Sequence, residues 1–369
     1  MDQNFKKKPV DFILLSTIIV IILVGTLMVY SASSIWANYK FDDPFFFFKR
    51  QLLFAFVGII AMIIVSNTPY FIWEKYARFL LVICFLLLLL VLIPGVGMVR
   101  GGARSWIGVG VFSIQPAEFM KLGLIIFLSS YLSKNRKWIQ SFKKGFLPPV
   151  TLIAIVFGTI LLQPDLGTGV VLLLTGFLLV FVNGAKITHF LWMGGIGIVG
   201  FLYLILSAPY RINRITSFLN PWEDPLGNGF QIIQSLYAIG PGGLFGLGFG
   251  NSIQKYFYLP EPHNDFIFAI IAEELGFIGG VGLLLLFISL MWRGIVIAIH
   301  APDSFSALVA TGIVAMLMIQ VSINISVVIG LIPVTGITLP FISYGGSSLT
   351  LLLTSIGILL NISRYRTII

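Results

Sequence analysis

The stretch FILLSTIIVIILVGTLMVY, Phe12 to Tyr30, decides the fold class. As a helix, these 19 residues are long enough to cross the hydrocarbon core of a bilayer. The whole chain agrees with this reading, because 58% of its 369 residues are hydrophobic and only 10% are charged, where a soluble domain has about 25%. The sequence therefore predicts an integral membrane protein. No small-residue cleavage site marks this first apolar run as a signal peptide.

Ten segments of the chain are apolar over a window of about 19 residues, as membrane-spanning helices are. They cover residues 11–31, 46–66, 77–95, 116–133, 147–163, 167–184, 187–207, 266–291, 305–331 and 342–362. No low-complexity segment or clear internal repeat divides the chain, so residues 1–369 are interpreted as a single membrane domain. The predicted fold class is an all-α polytopic membrane protein with about ten transmembrane helices.

The distribution of Lys and Arg sets the expected orientation. With the N-terminus in the cytoplasm, 14 of the 23 basic residues lie on the cytoplasmic side, 8 lie outside, and Lys121 lies within a helix. This pattern obeys the positive-inside rule, so both termini are predicted to be cytoplasmic. The net charge of +9 then reflects the cytoplasmic loops, and we expect no nucleic acid as a partner. The single cysteine, Cys84, excludes an intramolecular disulfide.

The same topology places one large extracytoplasmic loop, residues 208–265, between the seventh and eighth helices. It contains FQIIQSLYAIG, Phe230 to Gly240, which is apolar enough to form a short helix on the membrane surface. Eight glycines between Gly227 and Gly250 allow the backbone to approach a ligand closely, or they only shape a structured lid. Their spacing is neither G-x-G-x-x-G after a strand nor a P-loop, so we expect no nucleotide site.

Ionisable residues at membrane depth are candidate functional residues, because burying charge there is costly. Glu118 and Lys121 are three residues apart, so they share a helix face and can pair, either structurally or as part of a site. Arg100 and Arg104 come just before that helix. Two guanidinium groups at an interface suit bidentate phosphate recognition, or they only anchor the chain there.

Other polar residues fall at the predicted outer ends of helices. The stretch QPDLGTG places Asp165 between the fifth and sixth helices, and LPEPHNDF carries Glu261, His263 and Asp265 before the eighth. Carboxylates and guanidinium groups thus gather toward one leaflet, as at a binding or catalytic site. Asp265 would also suit a helix N-cap, since the first turn of a helix favours carboxylates.

The stretch PFISYGGSS, Pro340 to Ser348, brings hydroxyl groups to the start of the tenth helix, and Ser343 and Ser347 are the candidates for substrate binding. Glu273 and Glu274 follow the Asp265 segment along the chain. We expect this pair deeper in the membrane or toward the cytoplasm, with a structural role.

Five segments together resemble the SEDS family (shape, elongation, division and sporulation): LPEPHNDFIFAIIAEELGFIGG, NPWEDPLGNGFQIIQSLYAIGPGGLFGLGFG, QPAEFMKL, QPDLGTG and PFISYGGSS. The resemblance covers about Asp11 to Arg366 and is closer to the FtsW and SpoVE type than to the RodA type. Two positions depart from the family pattern, with Asn264 where Thr is usual and Ala117 where Ser is usual. These departures leave the details of local hydrogen bonding open.

The resemblance implies a peptidoglycan glycosyltransferase with ten transmembrane helices in the bacterial cell membrane. Such proteins polymerise lipid II, release undecaprenyl pyrophosphate, and work with a class B penicillin-binding protein that crosslinks the strands. The essential aspartate of the family matches Asp265, its intramembrane pair matches Glu118 and Lys121, and its outer-cavity aspartate matches Asp165. The active site is expected on the extracytoplasmic side.

The residue types fit this chemistry. A sugar hydroxyl is a weak nucleophile, so a carboxylate base helps, and Asp265 is the candidate. The departing pyrophosphate gains negative charge and needs cations opposite it, for which the candidates are Arg100, Arg104 and Lys121 and, less favoured, Arg211 and Arg214. A divalent cation, Mg²⁺ or Mn²⁺, could share this role beside Asp165 or Glu118, although the three scattered histidines give no strong metal pattern.

Two other functions are compatible with the sequence. A lipid II flippase or other transporter would also use many helices and buried ionisable groups, but it needs polar lining through the midplane. A noncatalytic scaffold for cell division would leave the outer carboxylates without a role. The sequence does not separate duties in division, sporulation and elongation.

Overall fold

The computed structural model describes residues 8–366, apart from 101, 110–111, 207–211, 213–215, 217 and 228. Within this part of the chain there are eleven α-helices, joined mostly by short turns. Their bounds are α1 Phe12–Phe41, α2 Phe46–Asn67, α3 Phe71–Leu92, α4 Pro116–Lys134, α5 Leu147–Leu161, α6 Leu166–Val182, α7 Ile187–Leu206, α8 Phe230–Gly242, α9 Ile267–Ile299, α10 Ser304–Val328 and α11 Gly346–Ser363.

Seven of the described helices are long and apolar enough to cross a membrane. They are Phe12–Phe41, Phe46–Asn67, Phe71–Leu92, Phe142–Leu161, Ile267–Ile299, Ser304–Val328 and Gly346–Ser363. The predicted class, a polytopic helical membrane protein, is therefore confirmed. Each of the ten predicted segments overlaps one helix, but α4 and α7 lie outside this set of seven and α6 is a shorter apolar helix, so the number of spans stays a prediction.

A small sheet lies between α3 and α4, where no strand was predicted. Its strands are β1 Met98–Arg100, β2 Ala103–Val109 and β3 Phe112–Ile114, paired antiparallel in that order. The β1–β2 turn includes Gly102 at φ +81°, a conformation that glycine adopts without strain. Arg and Gly interrupt the hydrophobic pattern of this segment, so its sequence gives no strand signal.

Side-chain caps start several of the helices. Asp11 accepts a hydrogen bond from Leu14 N at the start of α1, and Asp303 does the same for Ser306 N at α10. Pro116 occupies the first turn of α4, where a missing N–H is harmless. These caps satisfy backbone donors that have no partner within the helix.

Burial separates central helices from peripheral ones. In the most apolar window of α10, 67% of the residues are buried, and in that of α11 72% are, against 22% in α3. α4 packs between α3, α6 and α10, and α11 packs along α2. Large apolar side chains remain exposed on α1, α2, α3 and α9, as expected for surfaces that face lipid.

α9 breaks at Gly276, where φ is +66° and ψ is −166°. The break removes the helical bonds from Phe277 and Ile278 to residues 273 and 274. Instead, Phe277 N donates to Gly243 O at 2.8 Å and Ile278 N to Leu244 O at 3.1 Å. The carbonyl groups of residues 273 and 274 thereby lose their helical donors. They accept hydrogen bonds from Leu247 N and Gly248 N instead, at 2.9 and 3.0 Å. The segment after α8 therefore pairs with the broken helix, as buried backbone requires.

Glu273 and Glu274, both fully buried, hold the continuation of that segment. Glu273 accepts from Ile253 N at 2.8 Å, and Glu274 accepts from Gly250 N at 3.0 Å and from Ser31 Oγ of α1. Lys255 Nζ lies 3.3 Å from Glu274 Oε1. These contacts support the structural role expected for the pair. The pair lies with the segment after α8, and its depth and side in the membrane stay a prediction.

The two terminal segments meet at one end of the molecule. Asp11 binds the guanidinium groups of Arg293 and Arg366, and Lys8 Nζ donates to Arg366 O at 2.7 Å. We call this the termini end. The residues at this end were all predicted to lie on the cytoplasmic side or at its boundary with the membrane. The polar residues of the candidate site lie at the opposite ends of α1, α2 and α11.

Candidate active site

The first two turns of α4 carry a buried ion pair. Lys121 Nζ lies 2.8 Å from Glu118 Oε1, and their side chains are only 3% and 8% exposed. Ser348 Oγ, at the start of α11, donates to Glu118 Oε2 at 3.1 Å. The pairing predicted from the i, i+3 spacing is thus confirmed. The pair also attracts a hydroxyl from another helix, which ties α4 to α11.

Asp165 lies beside this pair and caps α6. Its Oδ1 accepts from Thr168 N at 3.1 Å, and its Oδ2 accepts from Gln115 Nε2, just before α4, at 2.9 Å. Burial raises the pKa of the Asp165 carboxyl, and the charge of Glu118 adds to the rise, while the bond from Thr168 and the charge of Lys121 oppose it. Three carboxylate or ammonium groups therefore influence each other at the starts of α4 and α6.

Asp265 lies just before α9 and is partly exposed. Its backbone carbonyl accepts a hydrogen bond of 2.7 Å from Nδ2 of Asn324, a fully buried residue of α10. Glu261 is exposed, and its Oε2 accepts from Asn264 Nδ2 at 2.7 Å. The loop that presents Asp265 is thus fixed from within by Asn324 and braced at its surface by the Glu261–Asn264 bond.

Residues 329–345, the α10–α11 loop, join the Asp265 region to the ion pair. Tyr344 N donates to His263 O at 2.9 Å, two residues before Asp265. Gln51 of α2 is fully buried and donates to Ser343 O at 3.3 Å. Three residues after the loop, Ser348 reaches Glu118. A continuous path of hydrogen bonds and backbone therefore links the candidate base to the Glu118–Lys121 pair.

His263 is enclosed by aromatic rings. It is 2% exposed, and its ring centroid lies 4.4 Å from that of Phe47 and 5.8 Å from those of Trp36 and Tyr344. Burial lowers the pKa of this imidazole to about 3. His263, predicted to bind substrate, is therefore a neutral and buried side chain in this structure.

The remaining predicted residues are placed unevenly. Ser343 Oγ accepts from Leu339 N at 2.8 Å and so shapes the α10–α11 loop. Ser347 is 7% exposed, and its Oγ has no hydrogen-bond partner in the described part of the chain. Arg104 is exposed on β2. The side chain of Arg100, and the whole of Arg211 and Arg214, lie outside the described residues.

Asp165 and Glu118 are the two carboxylates that the sequence suggested beside a divalent cation. Asp165 is engaged by Gln115 and Thr168, and Glu118 by Lys121 and Ser348. Across residues 8–366, leaving aside the gaps given above, no group of three His, Cys, Asp or Glu side chains is placed to hold a metal ion. The described donor set does not fit a resident metal.

Three residues at the site were not selected from the sequence: Gln115, Asn324 and Ser348. Gln115 and Ser348 stand inside the QPAEFMKL and PFISYGGSS segments, so a signal was present for both. Asn324 lies within an apolar helix, and a lone amide there could have been recognised as a group that needs buried partners.

Comparison with known proteins gives the family. The family model described as "Cell cycle protein", for FtsW, RodA and SpoVE, matches residues 12–368. Stage V sporulation protein E of Bacillus subtilis (strain 168) is 62% identical, covering 98% of each chain. A protein of Geobacter sp. (strain M18) named "Probable peptidoglycan glycosyltransferase FtsW" is 44% identical, covering 96% of each.

Solved structures agree with the sequence relatives. A chain from a structure described as "Structural coordination of polymerization and crosslinking by a peptidoglycan synthase complex" superposes with a TM-score of 0.78 and 33% identity, covering 96% of this chain and 98% of that one. Thermus thermophilus rod shape determining protein RodA gives a TM-score of 0.69 and 31% identity, covering 97% of each. This chain therefore belongs to the SEDS family of FtsW, RodA and SpoVE.

Proposed function

We propose that this chain is a peptidoglycan glycosyltransferase that polymerises lipid II and releases undecaprenyl pyrophosphate. One observation carries the proposal: a partly exposed carboxylate, Asp265, is joined through the α10–α11 loop to the buried Glu118–Lys121 pair. A scaffold would not need these groups brought together. A carboxylate base connected to a buried ionic cluster suits glycan transfer.

The reaction joins the 4-hydroxyl of an acceptor sugar to the anomeric carbon of a sugar pyrophosphate. Asp265 takes the hydroxyl proton as the new carbon–oxygen bond forms, and the bond to the pyrophosphate breaks with its electron pair. Displacement from the opposite face turns an α-linked donor into a β-linked product. The polyprenyl pyrophosphate leaves as an anion, so cations must lie opposite it.

The candidate cations differ in how accessible they are to the leaving pyrophosphate. Arg104 is exposed on β2, so its guanidinium is accessible to a pyrophosphate. Lys121 is buried and already balanced by Glu118. We therefore assign leaving-group contact to Arg104 first. Lys121 and Glu118 fix the floor of the site, together with Ser348.

We infer that the site faces the extracytoplasmic side of a bacterial cell membrane, with ten spans and both termini in the cytoplasm. The meeting of the terminal segments at the end opposite the site supports this arrangement. We also propose a class B penicillin-binding protein, a single-pass transpeptidase, as the partner, since the sequence has neither the S-D-N nor the K-T-G motif that a crosslinking enzyme combines with S-x-x-K. The wall made this way serves cell division, spore formation or cell shape.

The test is polymerisation of labelled lipid II by purified protein, with and without the partner, and gel analysis of the glycan. Asp265→Ala should abolish product while the protein stays folded and inserted. Asp43→Ala is the matched control, because it removes a carboxylate from an exposed pair with Lys49 and should leave chain lengths unchanged. Normal product from Asp265→Ala would refute the base assignment. Lipid movement across vesicles without new glycosidic bonds would favour the flippase.

A further inference from the structure

Asn324 is a buried amide in the apolar helix α10, one turn before its end. It is 0% exposed, and its Nδ2 donates two hydrogen bonds, to Asp265 O at 2.7 Å and to Ile337 O at 2.8 Å. These two acceptors belong to different segments, the loop before α9 and the α10–α11 loop. One side chain thus connects three parts of the chain at the candidate base.

The chemistry of the two acceptors fixes the orientation of the amide. Both are backbone carbonyl oxygens, which need donors, and the amide nitrogen of Asn has two hydrogens to give. An Asp at the same position would have the same shape but would place an acceptor against two acceptors. Each carbonyl would then lose the hydrogen bond that Asn324 gives it and face a second acceptor, which is unfavourable.

We propose that Asn324 is a positioning residue that sets where Asp265 stands relative to the Glu118–Lys121 pair. Its bond to Asp265 O fixes the peptide that carries the base. Its bond to Ile337 O fixes the loop whose continuation reaches Glu118 through Ser348. The inference rests on the proposed function, because the base must act on an acceptor hydroxyl for its position to matter.

Position matters strongly in group transfer, since a displacement of about 1 Å can lower the rate about 100-fold. Asn324 touches the backbone of Asp265 and not its carboxylate in the bonds described. Its loss should therefore lower turnover without changing the pKa that the carboxylate shows in the rate profile. Substrate affinity should change little, because the polar surface that receives lipid II stays in place.

Asn361 provides a matched control. It is also 0% exposed, and its Nδ2 donates to a backbone carbonyl, Ser66 O, at 2.8 Å. It lies in the last turn of α11, at the opposite end of that helix from Ser348. Asn361→Ala therefore removes the same kind of buried hydrogen bond without touching the site.

The experiment compares wild type, Asn324→Ala, Asn324→Asp and Asn361→Ala in the lipid II polymerisation assay with the partner present. Rates are normalised to folded protein measured by size exclusion and thermal unfolding. We expect kcat to fall at least about tenfold in both Asn324 variants, with KM within about twofold and the acidic limb of the pH–rate profile unmoved. Asn361→Ala should unfold at a lower temperature but keep the kcat of wild type.

Each outcome decides a different question. Absence of polymerisation by wild type with its partner would remove the proposed function itself. Active wild type with unchanged kcat in both Asn324 variants would overturn the positioning role alone. Equal loss of kcat in Asn361→Ala would also overturn it, because general loosening of the bundle would then explain the effect. A shifted pH limb would assign Asn324 to tuning the acid–base chemistry instead.

Discussion

His263 is a residue whose surroundings decide its charge. Aromatic rings of Phe47, Trp36 and Tyr344 enclose it, and burial lowers its pKa from 6.5 to about 3. The imidazole is thus neutral in the folded protein at neutral pH, and its tie to the site is the backbone bond from Tyr344 N to its carbonyl. In this structure, the His263 side chain packs among the aromatic rings that support the loop carrying Asp265.

The neutral imidazole makes stability depend on pH in a defined window. The unfolded chain binds a proton as the pH falls through 6.5, and the folded chain does not until about pH 3, so stability is lost as the pH falls below 6.5. The full slope is about 1.4 kcal/mol per pH unit. Thermal unfolding in detergent should therefore show a larger decrease from pH 7.5 to 5.5 in wild type than in His263→Phe. Parallel decreases in the two proteins would contradict the buried neutral state.

Single residues also show how far the sequence can predict a site. The Glu118–Lys121 pair follows from spacing on one helix, because neighbours at i and i+3 must share a face. The bonds of Asn324 join residues 59 and 13 positions away, and no local pattern encodes which carbonyls a buried amide will meet. The burial of His263 was not predicted for a related reason, because it depends on aromatic rings from distant parts of the chain. Substrate binding by His263 stays a prediction.

Among the elements, the broken helix α9 sets the shape of the site. Its first part, before Gly276, presents Asp265 at its start and the Glu273–Glu274 pair at its end. The break releases four backbone groups, and the segment after α8 satisfies all four. Gly246 allows this approach, because a Cβ there would lie 2.1 Å from Glu274 O. The loop glycines were predicted to let the backbone approach a ligand or to shape a structured lid. The glycine that lies against the break, Gly246, allows close backbone packing.

Gly276 should therefore tolerate no side chain. A Cβ there would lie 2.3 Å from Gly246 N and 2.6 Å from Leu244 O, at a φ of +66° that other residues adopt with strain. Gly276→Ala is expected to lower stability by at least about 2 kcal/mol and to release the 243–248 segment to protease. Gly282→Ala, in the same helix, is the control, since nothing lies within 4 Å of its Cβ. That variant should be neutral or raise stability by up to about 1 kcal/mol. Equal stability of the two variants would show that the break is not fixed by Gly276.

The elements were predicted with different success for physical reasons. Each long apolar segment corresponds to a helix because the bilayer requires every backbone bond to close within the segment. α1 continues to Phe41, ten residues beyond its predicted end at 31, because its last turns pack on α2 and on the large loop. The sheet between α3 and α4 was missed, because short strands outside the bilayer carry no comparable hydrophobic signal.

In the molecule as a whole, charged residues form two groups at opposite ends. The termini end gathers Arg293, Arg366 and Lys8 around Asp11, and the opposite end holds the Asp265 and Glu118–Lys121 groups. α11 connects the ends: Ser348 binds Glu118 at its start, and Arg364 follows its last turn. A helix of 18 residues rises about 27 Å, close to the thickness of the hydrocarbon core. We therefore expect the two groups of charges at opposite membrane surfaces.

Cysteine labelling can determine which surface is which. Replacing Cys84 with Ala removes the single native thiol, and new cysteines are then placed at Leu226 of the large loop and at Gln140 between α4 and α5, both exposed. The positive-inside pattern puts Leu226 outside and Gln140 inside. A membrane-impermeant maleimide should label Leu226→Cys in intact cells and Gln140→Cys only after lysis. Labelling in the reverse order would place Asp265 on the cytoplasmic surface. Asp265 could not then act on lipid-linked sugars that are joined outside the membrane, and the proposed position of the active site would be wrong.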